Sequence, residues 1–456
     1  MAGKEINMTE GSPVRRITAF AVPVIAAGLV QQLYQLGDTL IAGRFIGSGA
    51  LAAVSNSSMC IFFVTILFSG IGNGASIVLS QFYGRGDTEK VRTVVDTSAL
   101  FFYFGGIFCT FAGLLLSAPL LRIIAVPPEI FDETLLYLRI LFGGIAPVFG
   151  YAVITGMLNA VGDSRTPLEM LAASTLLNLG LDLFFVTRFG MGVAGLAVAT
   201  VIAQTIAFAG CIIYVNSRKG VVRLRLRGLR FSIAMLRRIV RMGLPTGIQD
   251  ALMIISVMVL QNRINAFGVA VVAGRSIVGR IEGFLLLPIH GLGAAIMTYT
   301  AQNFGAGKSE RIYKGLRIGF IMMTLLSAGL AAAVLASKGL LLPLFSSSAE
   351  TLAAAEGSIW ITVPCYSFYA LAVVWQSFFR GCGDTWFPLV VSLVTQFAFR
   401  IATIDLFLRF IPDPTGIWYA YAASWLLMFA LDSAYYHSGL WKRVQLRLHG
   451  SNKISV

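Results

Sequence analysis

Asp38 and Asp182 each lie inside a long apolar stretch of the sequence, and each has polar neighbours at the spacing of one helical face. These neighbours are Gln31, Tyr34 and Gln35 for Asp38, and Ser174, Thr175 and Asn178 for Asp182. A carboxylate in such a setting can hold a proton or a cation, because its oxygens accept hydrogen bonds and carry negative charge. Two polar faces in one half of the chain therefore predict a hydrated cavity between helices. The alternative, in which the same side chains only hold helices together, stays open.

The composition places these acids in a membrane protein. Of the 456 residues, 57% are hydrophobic and only 12% are charged, whereas soluble domains carry about 25% charged residues. An ionisable side chain at membrane depth costs at least about 2.5 kcal/mol unless it is paired or hydrated, so each one is a candidate functional residue. Four further acids lie in apolar stretches, namely Asp250, Glu282, Asp405 and Asp432.

Two of these four acids have a simple structural interpretation. Asp405 is expected near Arg409 at a helix boundary, and this position would need no function. Glu282 is expected to pair with Arg275 or Arg280. The roles of Asp250 and Asp432 stay open at this point.

Twelve apolar stretches are long enough to cross a bilayer, which takes roughly 20 residues. They lie at 15–42, 52–82, 92–118, 132–160, 166–187, 192–215, 238–264, 270–300, 312–337, 352–380, 387–409 and 415–440. The first is too long for a signal-peptide core and is followed by no small-residue cleavage site, so it is expected to be retained.

Threading the chain through these spans places 25 basic residues on one side and 6 on the other. The positive-inside rule makes the richer side cytoplasmic, with both termini on it, in a cell inner membrane or plasma membrane. The net charge of +14 is thus a topology signal, with contacts to anionic membrane lipids, and it does not predict a nucleic-acid partner.

The two halves of the chain repeat at an offset of 221 residues. "GIGNGASIVLSQFYGRGDTEK" (70–90) aligns with "GLGAAIMTYTAQNFGAGKSER" (291–311), and "GDSRTP" (162–167) aligns with "GDTWFP" (383–388). Each half holds six spans, so both keep one orientation and should be related by an axis along the membrane normal. The sequence predicts an all-α integral membrane protein with twelve transmembrane helices in two six-helix bundles. The bundles are predicted at 1–215 and 238–456, and a cytoplasmic basic linker at 216–237.

The acidic cluster is absent from the second half. At the same offset Asp38 aligns with Val259, and Asp182 aligns with Thr403. A requirement of the fold alone would be expected in both copies, so this asymmetry favours a functional role. The repeated Gly-Asp turns are, by contrast, typical capping and turn chemistry and predict scaffold residues.

No constellation of catalytic residues stands out. "GAGKSE" (305–310) contains the Gly-Lys-Ser of a phosphate-binding loop, but Gln302 occupies the position of that motif's first glycine. The five cysteines have no metal-ligand spacing. The sequence therefore predicts neither an enzyme, nor a metal site, nor a cofactor.

Taken together, the motifs resemble the MATE family, the multidrug and toxic compound extrusion transporters. The resemblance covers nearly the whole chain and rests on seven segments in order, "LGDTLIAGRFIGSGALAAVS", "SQFYGRGD", "GMLNAVGDSRTP", "LNLGLDLFF", "GLPTGIQ", "AQNFGAGKSER" and "FFRGCGDTWFP". It implies two bundles around a central cavity and secondary active export of organic, often cationic, small molecules. Export would proceed by alternating access, in exchange for protons or sodium ions.

The resemblance also implies roles for individual residues. Members with a coupling site in the first half use an aspartate of the first helix, an asparagine and aspartate four apart in the fifth, and a threonine of the sixth. In this sequence the corresponding residues are Asp38, Asn178, Asp182 and Thr200. The substrate cavity is predicted to include Gln31, Tyr34, Gln35 and Asn159.

Other readings of the sequence remain. A second branch of the family binds its cation through carboxylates on the seventh and tenth helices, and here Asp250 lacks a partner acid in the interior of the tenth span. A flippase for a lipid-linked precursor would need several cationic side chains, and only four arginines lie within the spans, Arg139, Arg275, Arg280 and Arg400. A membrane protein without transport activity is a third alternative. A monomer is expected, because one chain supplies both halves of the cavity.

Overall fold

The computed structural model describes residues 5–218, 220–224 and 228–442, and all regular secondary structure in these ranges is helical. Parts of the predicted bundles and linker lie outside the described residues, namely 1–4, Lys219, 225–227 and 443–456. Seven basic residues that contribute to the predicted topology are among them, namely Lys4, Lys219, Arg225, Arg227, Arg443, Arg447 and Lys453.

Seven helices form the first half of the chain. They are α1 (Pro13–Ile41), α2 (Ser48–Arg85), α3 (Thr88–Ile123), α4 (Pro128–Gly143), α5 (Ile145–Ala160), α6 (Arg165–Leu183) and α7 (Gly192–Ser217). Short π-helical turns at Ala42–Ile46 and Phe184–Arg188 extend α1 and α6. The helices end where the local sequence dictates. Gly86 adopts a left-handed conformation (φ 75°) after α2, and Asp87 caps α3 by accepting a hydrogen bond from Lys90 N at 3.0 Å.

The second half also contains seven helices. They are α8 (Ile233–Asn265), α9 (Val269–Gly305), α10 (Ser309–Leu341), α11 (Ala349–Gly381), α12 (Trp386–Ser392), α13 (Arg400–Phe410) and α14 (Thr415–Ser438). A π-helical segment, Leu393–Phe399, joins α12 to α13, and a 3-10 turn, Leu342–Leu344, follows α10.

The helices account for the predicted spans. Among the described residues ten helices are long and apolar enough to cross a membrane, and the pair α4–α5 makes eleven. The pair is bent by 50° at Gly144, because Pro147 cannot donate the backbone hydrogen bond that would continue the helix across the junction. The twelfth predicted span coincides with α14. The prediction of an all-α membrane protein is confirmed.

The repeat is visible in the helices themselves. Ser48 and Val269, which begin α2 and α9, are separated by the offset of 221 residues, and so are Thr88 and Ser309, which begin α3 and α10. The repeated turns also make the same contacts. Tyr214 donates to Asp163 Oδ2 at 2.8 Å before α6, and in the second copy Tyr435 donates to Asp384 Oδ2 at 2.7 Å before α12.

The chain divides into two compact units. Unit 1 contains the residues up to Asn7 together with Ala26–Gly247, and unit 2 contains Met8–Ile25 together with the residues from Ile248 onward. The division therefore falls inside α1 and inside α8. In unit 1, α2 lies so close to the first half of α8 that a Cβ on Gly70 would overlap the backbone of Gly247.

The start of the chain is tied into unit 2 by polar contacts. Met8 N donates to Gln302 Oε1 at 3.0 Å, and Asn303 Nδ2 donates to Met8 O at 3.0 Å. Lys308 and Arg311 donate to the backbone oxygens of Thr9 and Gly11, at 3.0 and 3.1 Å. Met8, Gln302 and Asn303 have no exposed surface. The repeated segment at 291–311 thus acts as a scaffold for the entry into α1.

Candidate functional site

The candidate site lies in unit 1, where α1, α6 and α7 meet. Asp38 stands one turn before the end of α1, Asn178 and Asp182 stand on one face of α6, and Thr200 is on α7. Gly37 permits the close approach of α1 to α6, because a Cβ at this position would collide with the side chain of Leu179. The glycine next to Asp38 therefore lets its carboxyl group reach α6.

Asn178 connects the two acids. Its amide nitrogen lies 2.9 Å from Asp38 Oδ1 and 3.1 Å from Asp182 Oδ2, and its amide oxygen accepts from the backbone N–H of Thr200 at 3.3 Å. This orientation of the amide is assigned from its partners, since the opposite one would place its oxygen against both carboxyl oxygens. One asparagine thus donates both amide hydrogens to the two carboxyl groups.

The cluster is buried. Asn178 and Asp182 have no exposed surface, and Asp38 is 9% exposed. Tyr34 is also buried, and its hydroxyl donates to Thr200 Oγ1 at 3.1 Å. Tyr34, Asp38, Asn178, Asp182 and Thr200 therefore form one connected polar group, which we call the Asp38 cluster.

The charge of the Asp38 cluster has no basic counterpart. In the described ranges neither carboxyl group forms an ion pair with a lysine, arginine or histidine, and Asp182 Oδ1 has no hydrogen-bond partner. The amide of Asn178 holds the two carboxyl groups close to each other. Two carboxylates this close repel each other, which favours a proton on one of them. The geometry therefore suits a pair that shares one proton or that binds a cation with its oxygens.

The other predicted polar residues are distributed differently. Gln31 and Gln35 are exposed, and the described residues offer their side chains no hydrogen bond. Ser174 Oγ donates to the backbone oxygen of Ala203 at 3.0 Å, so this residue holds α6 against α7. Asn159 lies at the end of α5, close in sequence to the start of α6, whereas Asp182 lies near the other end of α6, which has 19 residues. The length of α6 therefore separates Asn159 from Asp182 by about 25 Å. The cavity role of Asn159 stays a prediction.

The aligned positions in unit 2 carry no such site. Val259 is 42% exposed, and Thr403 Oγ1 donates to the backbone of its own helix at Phe399, at 2.7 Å. The expectation for Glu282 is confirmed, since it pairs with Arg275 at 2.7 Å. Asp405 lies near the end of α13, as expected, and its half-exposed carboxylate pairs at 3.1 Å with Arg263 at the end of α8.

Unit 2 contains a buried polar chain that the sequence analysis did not predict. Arg380 donates to Gln249 Oε1 at 2.6 Å, and Gln249 Nε2 donates to Gln376 Oε1 at 3.0 Å. Gln376 Nε2 lies 3.4 Å from Asp432, which has no exposed surface. The partners are 56 to 131 residues apart in the sequence, so helical spacing gave no signal for them.

A second buried group in unit 2 surrounds Arg400. Its guanidinium lies 4.3 Å from the ring centre of Tyr421 and 5.7 Å from that of Trp425, and Nε donates to Ser424 at 2.9 Å. Arg400 is 2% exposed and has no acidic partner among the described residues. Faces of aromatic rings here take the place of a carboxylate. The excess of aromatic residues in the tenth and twelfth spans was the only signal of this group in the sequence.

Comparisons with known proteins agree on one family. The model of the MatE family matches residues 23–184 and 245–403. The "Probable multidrug resistance protein YoeA" of Bacillus subtilis is 28% identical over 95% of both chains. The "Probable multidrug resistance protein NorM" of Thermotoga maritima is 24% identical over 94% of this chain and 93% of its own. A solved structure of a multidrug resistance MATE family transporter of the MOP superfamily, in an outward-facing conformation, superposes with a TM-score of 0.89 at 20% identity, over 97% of this chain and all of the other.

Proposed function

The chain belongs to the MatE family, and on that premise we propose that it is a secondary active exporter of organic cations, driven by protons or sodium ions. The relatives named as multidrug resistance proteins support export of several compounds. The observation that carries the coupling role is the Asp38 cluster, in which two buried carboxyl groups lack a basic partner. A group of this kind must take its compensating charge from a mobile ion or from a cationic substrate.

Exchange follows from competition for the same negative charge. When the carboxyl pair shares one proton it carries a single negative charge, which a second proton, a sodium ion or a cationic substrate can neutralise. Binding of a cation therefore favours release of the competing ion, and binding of that ion favours release of the substrate. If the occupied site opens alternately to the two sides of the membrane, the gradient of one species drives the other.

The remaining members of the cluster act as positioning residues. Asn178 fixes the distance between the carboxyl groups by donating to both of them. The backbone N–H of Thr200 fixes the orientation of that amide, and the hydroxyl of Thr200 accepts from Tyr34. Tyr34 and Thr200 thereby connect the acids to α7 without carrying charge themselves.

Flippase activity toward a lipid-linked precursor is the weaker candidate. It would require several free cationic side chains for a pyrophosphate, but Glu282 neutralises Arg275. Arg400 is buried against the rings of Tyr421 and Trp425. We further propose a monomer, because one chain supplies both halves of the repeat. The distribution of basic residues supports a location in the cell membrane with both termini in the cytoplasm.

The deciding experiment is efflux of a cationic dye from proteoliposomes under separate proton and sodium gradients. We expect one of the two gradients to drive accumulation, and Asp38→Asn and Asp182→Asn to abolish it. Each variant replaces a carboxylate by a group of the same shape that cannot change its charge. The proposal would be wrong if neither the proton gradient nor the sodium gradient changed the rate of dye transport. It would also be wrong if Asp38→Asn and Asp182→Asn both transported the dye like the wild type.

A further inference from the structure

We propose that a groove on unit 2, between α10, α11 and α14, binds one anionic phospholipid. The groove has a volume of about 580 Å³ and is lined by Arg317, Phe320, Ile321, Trp375, Tyr436 and His437, among others. We call it the Trp375 groove. It lies at the end of the unit where α10 begins and where α11 and α14 end, which is the end predicted to face the cytoplasm.

One end of the Trp375 groove presents an unpaired positive charge. Arg317 is exposed, and within the described residues its guanidinium forms no ion pair and no hydrogen bond. The groove is lined by no acidic residue in the part of the chain that the structure describes. A planar guanidinium can donate two parallel hydrogen bonds to a phosphate, so the free charge complements a phosphodiester headgroup.

His437 adds a hydrogen-bonding group beside Arg317. Its Nδ1 lies 2.8 Å from the backbone oxygen of Ser433. A carbonyl oxygen can only accept, so the proton of the neutral ring is on Nδ1 and Nε2 is left as an acceptor. That nitrogen can accept a hydrogen bond from a headgroup hydroxyl, such as those of glycerol.

The floor of the groove is aromatic and rigid. Trp375 is held by the hydrogen bond from its Nε1 to Ser433 Oγ at 2.9 Å. Its ring centre lies 4.4 Å from that of Tyr436 and 4.7 Å from that of Phe320. Tryptophan and tyrosine are the side chains that typically lie at the level of lipid headgroups, because their rings are apolar at one end and polar at the other.

The other end of the groove continues into an apolar track. Ile321 and Leu325 follow Arg317 at i+4 and i+8 on α10, which places all three on one face of the helix. They are 52% and 70% exposed. The site therefore has its charge about 12 Å from the start of α10 and apolar surface beyond it. A phospholipid has the same order of groups, whereas a free phosphate would leave the apolar track uncovered.

Native mass spectrometry of the purified protein in detergent tests this inference. Phosphatidylglycerol, phosphatidylcholine and inorganic phosphate are titrated separately, and the bound species are counted. We expect one phosphatidylglycerol to bind more tightly than phosphatidylcholine, because only its headgroup has an uncompensated negative charge. Arg317→Gln should weaken that binding about fivefold, which is the effect of one basic residue near an anionic lipid. Ile321→Glu should weaken it as well, by repelling the acyl chain.

Arg237→Gln is the matched control. Arg237 is an exposed arginine of α8, outside the groove and on the side predicted to be basic, so its loss changes the net charge equally. This variant should bind phosphatidylglycerol like the wild type. Equal binding by Arg317→Gln and the wild type would overturn the proposal, as would equal binding of the two lipids. Displacement of the lipid by inorganic phosphate at the same concentration would show an anion site without a role for the acyl chain, and it would overturn the proposal too.

Discussion

Replacement of Asp38 by asparagine should reduce the steady-state dye gradient from about tenfold to about onefold. The first figure follows from the number of charges that the proposed site can exchange. Asn178 holds the two carboxyl groups close together, and because two carboxylates this close repel each other, we expect the pair to keep one proton and to exchange one negative charge. One proton is then exchanged for one monovalent cation, and no net charge moves across the membrane. If protons are the coupling ion, a gradient of one pH unit supplies about 1.4 kcal/mol, which corresponds to a tenfold concentration ratio.

The assay is dye distribution at steady state in proteoliposomes, with the driving gradient set to a tenfold ratio of protons or of sodium ions. Asparagine at position 38 can still accept a hydrogen bond from Asn178 but cannot change its charge, so the dye should equilibrate at a ratio of about one. Asp405→Asn is the control, because this acid lies in a half-exposed ion pair with Arg263 and should keep the tenfold ratio.

The size of the ratio also tests the reasoning. A wild-type ratio of about one hundredfold at the same gradient would mean that two ions are exchanged per dye cation. The assumption that Asp38 and Asp182 together keep one proton would then be wrong. If Asp38→Asn maintains the tenfold ratio, the coupling role of the Asp38 cluster is refuted.

Three further predictions concern the scaffold and the topology. Gln302→Ala should lower the thermal stability without changing the range of substrates. It removes the acceptor of the buried Met8 N–H, which should cost about 1–3 kcal/mol of the free energy of unfolding. An altered substrate range in a stable variant would contradict this prediction. Burial raises the pKa of Asp384, which lies between membrane-spanning helices, despite the hydrogen bond from Tyr435. A raised pKa in the folded state means that the folded protein binds the proton more tightly than the unfolded chain. The stability that this group contributes is therefore present below pH 4 and is lost as the pH rises. The melting temperature of Asp384→Asn should fall less with rising pH than that of the wild type. Ser217→Cys should resist an impermeant thiol reagent added outside intact cells, and prompt labelling would reverse the predicted topology.

Asp38 and Asp182 could be singled out in the sequence because carboxylates are rare in apolar stretches, whereas Thr200 was named only through the family resemblance. The helical spacing of Asn178 and Asp182 also placed both on one face of α6, and the structure brings that face to Asp38. The repeat identified Asp163 and Asp384 as turn residues, and both accept a hydrogen bond from a tyrosine. These features depend on local spacing or on a constant offset, which a single sequence displays directly.

The buried groups of unit 2 could not be predicted in the same way. Arg380 and Gln249 are neighbours only because α8 and α11 pack together, and 131 residues separate them in the chain. Arg400 was identified in the sequence only as one of four arginines within the spans, and its partners are ring faces, which carry no sequence signature of pairing. The membership of Met8–Ile25 in unit 2 depends likewise on contacts with residues that follow about 300 positions later.

The contacts of Met8 have a consequence for the order in which the protein is made. Residues 8–25 are synthesised before their partners Gln302 and Asn303, which follow Met8 by 294 and 295 residues. Unit 2 therefore cannot be completed from the second half of the gene alone. Two separately produced fragments divided in the linker would each lack part of a unit. We expect such fragments to assemble only when they are co-expressed. A fragment of the second half should become protease-resistant only when a peptide of residues 8–25 is supplied with it.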